Sequence, residues 1–247
     1  MWIDDQILAR CHEPQVLSTW VPSSTMVVLG SSNKSEVEVK EHACLEDGVP
    51  VLKRYGGGGT VVLHSGCVVI SLGLWVSQFY DNNRYFRMIN DAVIQTLAAS
   101  WPVYANLRQD GLSDIAMENR KIAGTSLFRS RNYLLYQASL LVDAKVDLLE
   151  RYLEHPSREP EYREGKSHRD FVAGLGDFVK NLSSCDLEVT LARDLMPVVQ
   201  CALDQDLIAV QPKQCSHLYK RAGLKVYSSG IGHCTHGSDH VIDAGSH

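Results

Sequence analysis

Residues 54–62, Arg-Tyr-Gly-Gly-Gly-Gly-Thr-Val-Val, set four glycines in a row directly after an arginine and before a β-branched run. Each glycine costs roughly 0.5–1 kcal/mol relative to alanine in a regular element, so no helix or strand is expected to pass through them. The segments on either side, residues 49–55 and 60–63, are rich in valine and leucine and read as strands. The glycines must therefore form a loop between strands. Two uses remain open for it: a slack connection, or a backbone whose N–H groups come close to an anion.

The remainder of the chain supplies a scaffold for such a loop. Strand character recurs at 26–30 and 67–74 and through a β-meander at 104–143 with turns at Gln109-Asp110-Gly111, 117–120 and 129–132. Helical periodicity is expected at 4–11 and at 85–98, where Phe86, Ile89, Val93 and Leu97 share a face, while 36–48 reads as a helix, or a strand then a helix, closed by Gly48. Further helices are expected at 144–155, stopped by Pro156, and at 171–182 despite Gly174 and Gly176. Ser183 and Asp186 form a capping signature for a last long helix, in which Pro197 predicts a kink. This order predicts an α+β fold, with helices flanking a mixed, largely antiparallel sheet. We divide it into a domain over residues 1–183 and a C-terminal helical extension with a mobile tail over 184–247, which can belong to the same domain.

Composition narrows the class. With 247 residues, 45% hydrophobic and 21% charged, the chain has ample material for a core. Its net charge of −5 argues against a general nucleic-acid binder. The apolar stretch at 60–76 is interrupted by His64, Ser65 and Ser71, short of the ~20 residues of a membrane span. The N-terminus carries Asp4 and Asp5 and has no basic region before an apolar one, so no signal peptide is expected. Seven scattered cysteines without a Cys-x-x-Cys pair fit reduced thiols in the cytoplasm, not a disulfide framework or zinc site. His233, Cys234, His236 and His240 in the tail lack a recognised ligand spacing, and no metal is assigned to them.

A second motif, residues 119–126 (Asn-Arg-Lys-Ile-Ala-Gly-Thr-Ser), places Lys121 between a turn and a strand, followed by Gly124. A lysine facing a glycine loop would supply a point charge for a phosphate or carboxylate. Neither the P-loop nor the dinucleotide fingerprint fits the glycines, and no Gly-x-Ser-x-Gly or His-Glu-x-x-His pattern occurs.

Taken together, residues 51–72 and 112–126 resemble the two signature segments of the lipoate–protein ligase A family, in the right order and about 60 residues apart. The similarity spans roughly residues 1–180. It implies a catalytic core like that of class II aminoacyl-tRNA and biotin synthetases. It also implies a reaction: lipoate is activated with ATP and Mg²⁺ to lipoyl-AMP, and the acyl group passes to a lysine of a lipoyl-domain carrier. Such carriers include the glycine cleavage H protein and the E2 type of 2-oxoacid dehydrogenases. By the same resemblance Arg54, Gly57, Gly58, Gly59, Thr60, Val61 and Val62 would hold the adenylate. Lys121 would be catalytic, touching the α-phosphate and the acyl carbonyl oxygen, with Asp114, Gly124 and Thr125 beside it. The family often needs an accessory domain for adenylation, on the same chain or separate.

Departures from the family pattern bear on the acyl preference. Lys53 stands where the first of two arginines is usual, Leu63-His64 where His-Asp is frequent, and Gln137-Ala138 where His-Gly is common. Gln137 and Ala138 are therefore weaker candidates for substrate contact. Two other readings stay open: an octanoyl or lipoyl transferase of the same superfamily working without ATP, some members of which use a cysteine nucleophile, and a non-catalytic binding module. Cys67, the cysteine just after the glycine loop, lies in a valine-rich strand and reads as a buried structural residue. The charged segment with Arg158, Arg163, Lys166, His168 and Arg169 reads as a solvated loop, or as a surface that steers an acidic partner.

Overall fold

The computed structural model describes residues 3–78, 81–155 and 161–223. The chain enters through α1 (Asp5–Ala9) and β1 (Gln15–Trp20), then β2 (Met26–Leu29), α2 (Ser35–Glu38) and α3 (Glu41–Glu46). Next come β3 (Val51–Lys53), β4 (Val61–Leu63), β5 (Cys67–Trp75) and the long α4 (Asn82–Ser100). A meander of β6 (Arg108–Asp110), β7 (Asp114–Met117), β8 (Arg120–Ser130) and β9 (Tyr133–Leu141) follows. The last helices are α5 (Val146–Tyr152), α6 (His168–Phe171), α7 (Ser184–Leu203) and α8 (Pro212–Arg221).

Six strands form an antiparallel sheet in the order β1-β5-β9-β8-β7-β6, and three form a smaller sheet, β3-β2-β4, whose β2–β3 pair is parallel. This is the α+β architecture with a largely antiparallel sheet that the strand and helix patterns imply. All nine residues of β5 are buried, because both of its faces are covered. Val68, Ile70, Leu72 and Leu74 meet α4 and α7 in the principal core, where Ile89, Val93 and Leu97 pack with Leu187, Leu191 and Leu195. On the opposite face Val69 meets Val28 and Leu63 of the small sheet. The glycine run thus lies where the small sheet folds over the large one. No helix among the described residues is long and apolar enough to cross a membrane.

Three local expectations need correction. The helix at 36–48 is two short helices, because Val39 between them bridges in extended form to Leu153; Gly48, at φ +64°, does close α3. Residues 171–182 are not one helix. α6 ends at Phe171, Val172 bridges Lys121 in parallel, and the Ala173 N–H donates to the Lys121 carbonyl at 2.9 Å. Gly174 then passes so close to the neighbouring chain that a Cβ would lie 2.4 Å from the Val142 carbonyl oxygen. A tertiary backbone contact overrides the helical pattern here. The charged segment is also less solvated than its composition implies, since Arg163 is buried. Ser183 caps α7 as expected, accepting from the Asp186 N–H at 3.0 Å, and the helix runs on through Pro197. Pro156, Arg158 and the tail residues His233, Cys234, His236 and His240 lie outside the described residues.

Gly174→Ala should lower the melting temperature more than Ser183→Ala. Loss of a cap costs about 1 kcal/mol, whereas overpacking against fixed backbone costs typically 1–3 kcal/mol. Thermal unfolding of the two variants beside the wild type checks the order.

Candidate active site

The loop after β3 is built around the Arg54 side chain. Its Nη2 donates to the carbonyls of Gly57 and Gly59, each at 2.7 Å, and Nη1 to the Val28 carbonyl at 3.4 Å. Burial lowers the guanidinium pKa to about 10, while the nearby Asp4 carboxylate works the other way. Arg54 therefore stays charged at neutral pH and grips the loop from inside. Gly58 sits at φ +91°, open to glycine, and its carbonyl approaches Gly30 so closely that a Cβ there would lie 2.2 Å away. Gly57 and Gly59 differ: a Cβ added at either meets nothing within 4 Å. Packing within the chain does not explain these two, which leave backbone bare beside open space. The loop exit is pinned by Asn33 Nδ2 donating to Thr60 Oγ1 at 3.1 Å.

Lys121 enters from the large sheet. Glu118 and Asn119, with φ +49° and +60°, make the tight turn between β7 and β8, and a bulge near Ile115 and Ala116 then shifts the register beside Lys121. Its ammonium donates to Asp114 Oδ1 at 2.8 Å, and Asp114 Oδ2 accepts from the Tyr162 hydroxyl at 2.8 Å. Gly124 makes room for the lysine head, since a Cβ there would lie 3.2 Å from both Cε and Nζ.

Two cavities among the described residues meet at this lysine. The first, about 100 Å³, lies between the sheets against Ile3, Val28, Val61, Leu63 and Val69. The second, about 240 Å³, opens on the other side toward Glu38, Leu149, Glu154, Arg163, His168 and Phe171. Gly59, Thr60, Val61, Asp114, Lys121 and Gly124 line both. Burial, then Arg163, lowers the His168 pKa to about 4, so its imidazole is neutral at pH 7. The geometry offers two chambers of mixed lining, the smaller with an apolar wall of Val28, Val61, Leu63 and Val69, and a single ammonium at their seam. That arrangement suits a ligand with an apolar tail, a charged junction and a polar head.

The structure brings most of the residues singled out from sequence to this place. Arg54, Gly58, Gly59, Thr60, Val61, Asp114, Lys121, Gly124, Thr125, Gln137 and Ala138 line the first cavity, and Val62 the second. Gly57 lines neither, although its carbonyl receives Arg54. The Thr125 hydroxyl is spent on the Ser113 carbonyl, and the Ala138 methyl belongs to the core on the far face of the sheet. Gln137 Nε2 donates to Asp4 Oδ1 at 2.7 Å. Neither Asp4 nor Tyr162 is given a role in the site by the sequence reading. Asp4, fully buried, accepts from the Tyr55 N–H and from Gln137, and burial pushes its carboxyl above the usual range. An acid opening a helix looks like an ordinary cap, so only its tertiary partners reveal this role. Cys67 is buried in β5, its thiol raised by burial to about 11, and no cysteine among the described residues lines either cavity.

Gly124→Ala is expected to leave the melting temperature within a few degrees of wild type, because the atoms it crowds are the far end of a flexible side chain. The same change should displace the Lys121 head and lower any activity that depends on it. Measuring unfolding and activity on the one variant separates the two effects.

Comparison with known proteins gives the family and the fold. Residues 1–195 match the family described as the lipoyl protein ligase A/B catalytic domain. The chain is similar to the lipoate-protein ligase A subunit 1 of Thermoplasma acidophilum, 26% identical over 192 residues, covering 74% of this chain and 71% of that one. For two further curated relatives the chain spans about half their length, 45% and 49%. In fold it resembles a bi-partite lipoate protein ligase from Thermoplasma acidophilum, described with its E2 lipoyl domain: TM-score 0.65, 22% identity, 90% of each chain. A lipoate-protein ligase A bound with ATP is equally similar, at TM-score 0.65 and 22% identity over 89% of this chain and 87% of that one. The chain belongs to the lipoyl protein ligase A/B catalytic-domain family.

Proposed function

We propose that this protein is a lipoate–protein ligase, activating lipoate with ATP to lipoyl-AMP and passing the acyl group to a lysine of a lipoyl-domain carrier protein. The observation that carries the reading is the meeting of two cavities, the smaller with an apolar wall of Val28, Val61, Leu63 and Val69, at one ammonium, Lys121, beside a loop whose Gly59 has no packing reason to lack a side chain. The acyl tail lies against Val28, Val61, Leu63 and Val69, the nucleoside lies in the larger cavity, and the mixed anhydride falls at Lys121. In the first step a lipoate carboxylate oxygen bonds to the α-phosphorus and pyrophosphate leaves. In the second the carrier's ε-amine bonds to the acyl carbon, AMP leaves, and the amine loses a proton. Charge grows in turn on the phosphoryl and carbonyl oxygens, and a preplaced ammonium stabilises both.

No group of three His, Cys, Asp or Glu side chains among the described residues is arranged to hold a metal. We place Mg²⁺ with the nucleotide, held on its phosphates. Support for ATP and for a lipoyl-domain partner comes from what the similar ligases are described with. The relation to a ligase subunit favours an accessory domain assisting adenylation. We place the protein in the cytoplasm, where lipoyl carriers and ATP meet. Among the described residues the cavity walls are built without cysteine, which favours this reading over a transferase with a cysteine nucleophile.

Two assays test it. Pyrophosphate release with ATP, Mg²⁺ and lipoate reports the first step, and transfer from supplied lipoyl-AMP to a purified lipoyl domain reports the second. Lys121→Ala should lower both by on the order of 10²–10³. Transfer without release would mean that adenylation needs the accessory domain. Failure of both in the wild type would overturn the ligase reading.

A further inference from the structure

The ammonium of Lys121 is already engaged, 2.8 Å from Asp114 Oδ1. Any ligand oxygen must share it with that carboxylate, so whatever sets the strength of the ion pair also sets how much of the lysine a ligand receives. The second carboxylate oxygen accepts from the Tyr162 hydroxyl at 2.8 Å. Tyr162 does not come from the sheet. It belongs to the segment 161–173 that crosses outside it, with its ring tilted on Phe171 at a centroid distance of 5.1 Å. Burial first, and Asp114 second, push its phenol above the ordinary range, so the hydroxyl keeps its proton and donates.

We propose that Tyr162 is a positioning residue: by occupying Asp114 Oδ2 it holds the carboxylate with one oxygen toward Lys121 and leaves the remaining N–H donors of the ammonium to the ligand. The consequence for catalysis rests on the ligase reading; the effect on Lys121 itself does not.

The alternative arrangement shows why the hydroxyl matters. Asp114 is only 8% exposed, so an Oδ2 without a donor is a costly buried acceptor. The nearest repair is to turn the carboxylate until both oxygens face Nζ, which tightens the pair. The lysine backbone cannot withdraw, because its carbonyl is held by the Ala173 N–H at 2.9 Å and its strand by the bridge to Val172. Adjustment therefore falls on the side chains. The segment that supplies Tyr162 to the carboxylate also supplies Val172 and Ala173 to the strand, and Arg163, His168 and Phe171 to the second cavity. One stretch of chain sets both the posture of the lysine and one wall of the second cavity.

The test reads Lys121 directly. Trace acetylation of the full-length protein with acetic anhydride, followed by peptide mass spectrometry, gives the reactivity of Lys121 relative to exposed Lys180 as internal reference. Four proteins are compared: wild type, Tyr162→Phe, Asp114→Asn and the double variant. Tyr162→Phe should lower Lys121 labelling by roughly threefold or more, the size expected for coupled neighbours. Asp114→Asn should raise it, and in that background Tyr162→Phe should change nothing further, because its influence runs through the carboxylate. Unchanged labelling in Tyr162→Phe, or the same change in both backgrounds, would overturn the proposal in favour of a structural role. Lipoate-dependent pyrophosphate release on the same proteins should show a lower kcat in Tyr162→Phe with little change in KM for lipoate. The labelling pattern with neither pyrophosphate release nor transfer from supplied lipoyl-AMP in the wild type would keep the positioning role and sink the ligase reading. Turnover without the labelling pattern would do the reverse.

Discussion

A guanidinium held inside the protein organises this site. Arg54 is 7% exposed, and a charge so placed is tolerable only where hydrogen bonds replace its water. Those bonds come from the carbonyls of the glycine loop it precedes and from Val28 on the neighbouring strand. The loop is thereby wrapped around a cation three to five residues upstream, a path that side chains at Gly30 and Gly58 would obstruct. Asp4 supplies the opposing charge and also holds the Tyr55 N–H and Gln137. The loop, the floor of the apolar cavity and the N-terminal helix are thus one electrostatic unit.

Division of labour between the two cationic groups follows from their surroundings. Arg54 donates from both Nη atoms to carbonyls and shapes the loop. Lys121, on the opposite wall, keeps donors beyond the one given to Asp114 and stands where the two cavities join. A planar, multiply bonded guanidinium suits the fixed role, and a compact ammonium on a flexible stem suits the adjustable one.

Much of this was legible from residues alone, and the reasons are specific. The glycine run announces itself because so many glycines cannot belong to a regular element. The doubly buried β5 shows as a near-continuous apolar run, and the amphipathic α4 shows in Phe86, Ile89, Val93 and Leu97. Ser183 and Asp186 mark the start of α7 by local chemistry. What was not legible depends on contacts between distant residues. The segment at 171–182 has a helical composition, yet the hydrogen bond from Ala173 to Lys121 and the close pass of Gly174 by Val142 pull it straight. Arg163, in a run of charges, looks exposed and is buried over the Phe171 ring at 4.7 Å. Asp4 and Tyr162 carry no local signature at all; their roles exist only in the partners that the fold brings to them.

The same partners impose an order in time. The glycine loop lies in the first quarter of the chain, but Tyr55 at its entrance is held by a hydrogen bond from its hydroxyl to the Arg221 carbonyl at 3.0 Å, and the Arg221 guanidinium lies over its ring at 5.3 Å. Asp4 waits in turn for Gln137 on β9. Contacts of such sequence separation close late, since loop-closure entropy must be met before they can form. During synthesis the cradle therefore emerges early and unset, and it becomes a rigid feature only when α8 has left the ribosome and docked against α1.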